Sequence, residues 1–256
     1  MKRAIFYTII FAAVQITVGL ITMAVWRLAT GENPEQSVAC SIVMMTLASL
    51  VTIGLFLWVK WSEVSPNWIR TRPWGVIFWC ALAALGLLLP SMWLQEQIPE
   101  LPNVSEELFE GLISTPWGYV VIGLMAPFAE ELVFRGAILR SLLKWNGSHW
   151  IGIAISAALF ALVHMNPAQM PHAFLIGLLL GWMYYRTDSI IPGMVYHWVN
   201  NSVAFAVGHI LGGVYQNVEE LTLHDLFGER ALLAVGFSLL ILLPAIYQLN
   251  LRLRKD

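Results

Sequence analysis

Eight apolar stretches, most of them long enough to cross a lipid bilayer, constrain this chain more than any other feature. They fall at roughly residues 4–26, 38–59, 74–94, 117–139, 150–165, 168–185, 190–211 and 231–249. A helix needs about 20 apolar residues to span a hydrocarbon core ~30 Å thick. No water is present there to satisfy a peptide group, so the backbone must satisfy itself within each segment. The fold class expected is all-α, a polytopic transmembrane helix bundle of about eight spans. The fifth stretch is short, and its neighbour begins directly after Asn166-Pro167, which predicts a tight helical hairpin.

Composition points the same way. Hydrophobic residues make up 58% of the 256 and charged residues 12%, about half the charged share of a soluble domain. A net charge of −2 gives no electrostatic basis for nucleic-acid binding. Cys40 and Cys80 lie inside apolar runs, offer neither metal-ligand spacing nor a disulfide framework, and read as small buried apolar residues. Lys2 and Arg3 precede the first run as in a signal peptide. That run is longer than a signal core and lacks a persuasive cleavage site, so a retained span is expected.

Cationic residues set the orientation. With the N-terminus cytoplasmic, that side receives Lys2, Arg3, Lys60, Arg70, Arg72, Arg140, Lys144, Arg186, Arg252, Arg254 and Lys255. Only Arg27 and Arg230 fall opposite, and Arg135 lies within a span. Both termini are therefore expected in the cytoplasm. Trp26, Trp58, Trp61, Trp74, Trp93, Trp117 and Trp150 fall near span ends, where an indole is favoured. Gly177 with Gly181, and Gly208 with Gly212, have the spacing that lets helices approach closely. The acidic loops 95–116 and 214–229 are expected to hold short surface helices on the outer side.

Three sets of polar residues interrupt the apolar runs. The fourth stretch contains Glu130, Glu131 and Arg135. An ionised carboxylate at a helix centre costs about 2.5–3.5 kcal/mol on insertion scales. Glu131 and Arg135, at i and i+4, can offset each other, whereas Glu130 is turned about 100° away and is available for other work. The fifth stretch carries Phe160 and His164 on one face, with His164 just before the helix ends. The seventh carries His197 and Asn201 one turn apart, both able to donate hydrogen bonds, with Asn200 pointing elsewhere. Taken singly, each set has a structural explanation: an ion-pair network, a hydrogen-bonded histidine, interhelical hydrogen bonding. Together they supply a carboxylate and an imidazole for acid–base work on one water, and fixed donors for charge on a carbonyl oxygen. His149, His172, His209 and His224 read as interfacial or structural.

These residues resemble the motifs of a known family. Glu130-Glu131-Leu-Val-Phe-Arg135 resembles Glu-Glu-x-x-x-Arg, Phe160-Ala-Leu-Val-His164 resembles Phe-x-x-x-His, and His197-Trp-Val-Asn-Asn201 resembles His-x-x-x-Asn. Those are the motifs of the CAAX-protease and bacteriocin-processing (CPBP/Abi) family of intramembrane endopeptidases. The likeness divides the chain into N-terminal helices with an acidic outer loop (1–116), a catalytic core (117–205), and an outer loop, last helix and basic tail (206–256). It implies that Glu130 and His164 activate a water, that His197 and Asn201 stabilise the oxyanion, and that Glu131 and Arg135 support the site. No cofactor is favoured. In a zinc-dependent version Glu130, His164 and His197 would be the ligands, but no tight zinc spacing is present.

The implied partners are the bilayer and a membrane-associated, prenylated (CAAX-type) or bacteriocin-like peptide, and the implied location is a bacterial plasma membrane. A transporter or proton pathway and a catalytically silent immunity or scaffold protein are the competing classes. The first would call for inverted repeats or paired broken helices, and neither is evident. One conflict stands within the grouping. At 1.5 Å per residue, Glu130 lies roughly 14 Å and His197 roughly 10 Å from the cytoplasmic ends of their spans, against roughly 20 Å for His164.

Overall fold

The computed structural model describes residues 1–145, 147–212 and 221–254. Eight helices of fourteen or more residues dominate them: α1 Lys2–Thr30, α2 Val38–Trp58, α3 Trp74–Glu96, α4 Pro116–Leu143, α5 His149–Leu162, α6 Met170–Thr187, α7 Ile191–Gly212 and α8 Ala231–Arg252. Each coincides with one of the apolar stretches to within a few residues. Five of the helical segments, α1 to α4 and the Leu223–Arg252 stretch that ends in α8, are long and apolar enough to cross a membrane. The chain is thus an integral, multi-pass membrane protein. α5, with 14 residues, reaches only about 21 Å.

Local signals place the ends. Gly31 closes α1 in the left-handed conformation, and the Ser37 hydroxyl accepts from Cys40 N to open α2. Asp188, also left-handed, ends α6 three residues before α7, forcing the two antiparallel. Arg186 forks onto the end of α8, its Nη1 donating to Asn250 Oδ1 and its Nη2 to the carbonyls of Asn250 and Leu253.

α4 departs from the straight α-helix that its sequence suggests. Residues Val120–Met125 and Leu132–Leu139 are π-helical, flanking a short α-helical stretch, Ala126–Glu131, that carries both glutamates. Pro127 is one cause of the first. A proline ring clashes with the carbonyl four residues back, and widening the preceding turn relieves the clash.

The core gathers where α4, α5, α6 and α7 meet, around Phe134, Phe160, Leu180 and Tyr196. α1 packs on α2 and α4, and α3 lies along α8 and α7. Ile9, Leu20 and Leu28 on α1, and Leu232, Leu240 and Leu243 on α8, stay exposed, as a lipid-facing surface requires. Cys40 and Cys80 are buried and unpaired.

The glycine pairs behave unequally. Gly177 and Gly181 let α6 close onto Ala157 and Ile153 of α5, as their spacing predicts. Gly208 instead faces Ile113 of a short helix, Glu106–Ile113, that buries Leu112 and Ile113 between α2 and α7 rather than resting on the surface. In the loop 214–229 a second short helix, Leu223–Phe227, starts with a capping box from Thr222 and Asp225. Residues 214–220 of that loop, and Lys255 of the basic tail, lie outside the described residues.

The tightest crossing is α3 on α8. A Cβ at Gly86 would stand 2.6 Å from the Leu242 nitrogen, and Ser238 Oγ donates to the Gly86 carbonyl. Gly86→Ala should therefore destabilise the protein by about 1–3 kcal/mol through overpacking. Gly54→Ala, which meets nothing within 4 Å, should be neutral or gain up to about 1 kcal/mol from helix propensity. Thermal unfolding of the two variants in detergent measures the difference.

Candidate active site

The two glutamates of α4 have different surroundings. Glu131 is fully buried, and its Oε1 accepts from Arg135 Nη1 at 2.8 Å and from His197 Nδ1 at 3.2 Å. Gly193, at the start of α7, makes room for it: a Cβ there would lie 2.8 Å from Glu131 Oε2. Arg135 also donates through Nη2 to the Gly177 carbonyl and holds its guanidinium 4.5 Å over the Phe160 ring, a cation–π contact that partly replaces lost hydration. Glu130 keeps 21% of its side chain exposed and places Oε2 3.7 Å from His197 Nε2, too far for a direct hydrogen bond.

His197 thus lies between the two carboxylates, bonded to Glu131 and facing Glu130. A carboxylate can only accept, so Nδ1 carries the proton in the bond to Glu131 and Nε2 faces Glu130. That is how a buried acid sets a histidine's tautomer. The same reasoning applies to His164. Its Nδ1 lies 2.8 Å from the Phe160 carbonyl, so Nδ1–H donates there and Nε2 is left for chemistry.

Phe160 is the hub that joins the sets. Its ring meets His164 at 4.9 Å and His197 at 5.7 Å, each edge to face. His164 and His197 thus share one ring, although α5 begins at His149, almost where expected.

Asn201 is held by the irregularity of α4. In the first π-helical turn Ala126 N–H points to the Val121 carbonyl, and Pro127 has no N–H to offer the next one. The Ile122 carbonyl takes its donor from Asn201 Nδ2 instead, at 3.1 Å. Ser62 Oγ and Ser156 Oγ similarly donate to the carbonyls of Leu132 and Phe134 in the second π-helical segment. Side chains commonly satisfy backbone groups loosened inside a membrane helix. Asn200, expected to point elsewhere, is buried and donates to Asn201 Oδ1 at 3.3 Å.

Residues 112–203 match the family model described as "Type II CAAX prenyl endopeptidase Rce1-like". The matched segment contains Glu130, Glu131, Arg135, His164, His197 and Asn201. Over 78 residues the chain is also 30% identical to UPF0177 protein YxdF of Lactococcus lactis subsp. lactis (strain IL1403). That match covers 30% of this chain and 42% of the relative, so the chain spans less than half the length of the curated relative it matches. No solved structure matches.

Within the matched segment the structure connects Glu130, Glu131, Arg135 and His197 and brings His164 and His197 to the same aromatic ring. Among the described residues no three His, Cys, Asp or Glu side chains gather as a metal-binding set. Glu130, His164 and His197, as placed, do not make the ligand set of the zinc version. His172, read as interfacial or structural, is paired with Ser91 of α3 at 2.6 Å and lies within electrostatic reach of His164 and His197. An isolated histidine after Pro171 carries no spacing signal that could have revealed this. His149 stacks on Tyr185 and His209 binds the Ile113 carbonyl, both structural contacts.

The buried pair gives a stability prediction. Removing one partner of a buried ion pair typically costs about 3–5 kcal/mol, because the other is left uncompensated. Arg135→Met should lose that much, whereas Glu131→Gln combined with Arg135→Met should recover a large part of it. Thermal unfolding in detergent, compared across the two variants, tests the expectation.

Proposed function

We propose that this chain is an intramembrane endopeptidase that hydrolyses a peptide bond with a water activated by Glu130 and His164. The observation that carries the reading is His197, held by Glu131 through Nδ1 with Nε2 turned to Glu130 inside the segment that matches the Rce1-like family model. A purely structural ion pair would need only Glu131 and Arg135. The second, partly exposed carboxylate on the far side of the same imidazole is what acid–base chemistry requires.

The step follows from the parts. Glu130 takes a proton from water as its oxygen bonds to the peptide carbonyl carbon, and the Nε2 lone pair of His164 accepts from the same water to orient it. Negative charge passes to the carbonyl oxygen. Asn201 has one amide N–H committed to Ile122 and a second to offer; His197, when protonated, donates through Nε2. Collapse of the intermediate breaks the C–N bond, and Glu130 returns the proton to the departing amine. Glu131 and Arg135 hold His197 in place.

The substrate class we infer is a membrane-associated peptide, either prenylated at a CAAX-type C-terminus or bacteriocin-like. The proposed topology has eight spans, 117–205 as the catalytic core flanked by 1–116 and 206–256, and both termini on the cytoplasmic side of a bacterial plasma membrane. The Lys and Arg distribution supports it.

Glu130→Ala and His164→Ala should abolish peptide cleavage while leaving membrane insertion normal, and Asn201→Ala should slow turnover by about 10²–10³. Cleavage at the wild-type rate by Glu130→Ala would falsify the mechanism. Cysteines placed at positions 2 and 254 should both react with an impermeant thiol reagent only from the cytoplasmic side. Labelling of either from outside rules out the proposed topology.

A further inference from the structure

His164 does not stand on a regular helix. α5 ends at Leu162, and the turn that follows sets Met165 at φ 51, a left-handed conformation uncommon for a residue with a side chain. Met165 is 77% exposed, so its own packing does not hold the turn. Asn166, next in the chain, is fully buried and satisfied on both ends of its amide. Nδ2 donates to Asn103 Oδ1 at 2.7 Å, and Oδ1 accepts from Val104 N at 3.3 Å. Ala168 N donates to the Pro102 carbonyl at 3.3 Å, and Gln95 Nε2 donates to the Ala168 carbonyl at 2.9 Å. With the Ser91–His172 bond, every one of these attachments arrives from residues 91–104, outside the matched 112–203.

We infer that residues 91–104 strap the His164 turn in place, with Asn166 as the principal positioning residue and Gln95 as a second clamp. The inference rests on the peptidase reading for its catalytic consequence. Holding α5 to α6 does not account for the strap. That helix pair is already closed at Gly177 and Gly181, while the strap bonds converge on residues 166–172 alone. Without it the Phe160 carbonyl at the end of α5 still meets the imidazole, but the turn that bears His164 can move relative to Glu130. A displacement of about 1 Å at a reacting group costs on the order of 10²-fold in rate. The acidic outer loop, which carries no readable motif, acquires a role in the site on this account.

The experiment uses the full chain in detergent or liposomes, with a peptide-cleavage assay and hydrogen exchange of the 163–170 amides read by mass spectrometry. Asn166→Leu should lower kcat by about 10²-fold with KM held within about threefold, and should speed exchange across 163–170. Should that variant fail to fold, Gln95→Ala removes a single bond from an exposed side chain and should lower kcat by about tenfold, the equivalent of one hydrogen bond. Gln97→Ala, whose amide donates to the Trp93 carbonyl within its own helical end, should leave kcat and exchange unchanged. Folded variants whose kcat stays within twofold of wild type, or whose KM alone changes, overturn the inference. A wild-type chain without peptidase activity counts against the proposed function and not against the strap. In that case faster exchange at 163–170 in the variants supports the strap, and unchanged exchange overturns it.

Discussion

An ion pair buried among apolar helices is expensive on both sides: each charge gives up its water, and mutual attraction returns only part of that cost. Glu131 and Arg135 meet at 2.8 Å with almost no exposure, and the surrounding helices offset part of the remainder, leaving Glu131 Oε2 and Arg135 Nε without a hydrogen bond among the described residues. The Gly177 carbonyl of α6 accepts from the guanidinium and the Phe160 ring of α5 lies beneath it. His197 of α7 donates to the carboxylate, and Gly193 leaves space for it. Four helices are tied to one pair of charges. The tie also does something a hydrophobic contact could not, because a carboxylate dictates which nitrogen of His197 holds the proton.

The same helix departs from regularity on either side of its glutamates. A π-helical turn widens the ring of backbone bonds and turns carbonyls away from their usual donors. Inside a membrane such a carbonyl must find another partner. Asn201, Ser62 and Ser156 fill that need, and Asn201 is thereby drawn to α4, against the very turn that precedes Glu130. Pro127 is the local cause of the first irregularity; its missing N–H leaves the Ile122 carbonyl open. A backbone defect and a site residue are coupled through one hydrogen bond.

Several features were legible before any coordinates. Apolar length marked all eight helices, since hydropathy is a local property and the bilayer sets its scale. The i,i+4 spacing of Glu131 and Arg135 predicted their pairing correctly, because side chains one turn apart must meet. Spacing could not reveal that His197 reaches both glutamates, since that contact joins positions 66 residues apart. Asn200 was assigned away from the site by helix rotation alone, yet one amide bond brings it to Asn201. The short helix Glu106–Ile113 looked like a surface element, because nothing local shows that Leu112 and Ile113 have α2 and α7 to pack against.

Taken alone, the sequence determined that the chain is helical and membrane-embedded, and that a few ionisable residues interrupt its apolar runs. Each of those facts follows from transfer free energy and helical periodicity, which operate over a few turns. Tertiary structure alone decided the tautomer presented by His197, the π-helical shape of α4, the meeting of His164 and His197 on Phe160, and the attachment of the His164 turn to residues 91–104. These are contacts between distant segments whose geometry depends on how the helix ends are offset and tilted. Counting residues along any single helix does not contain that information.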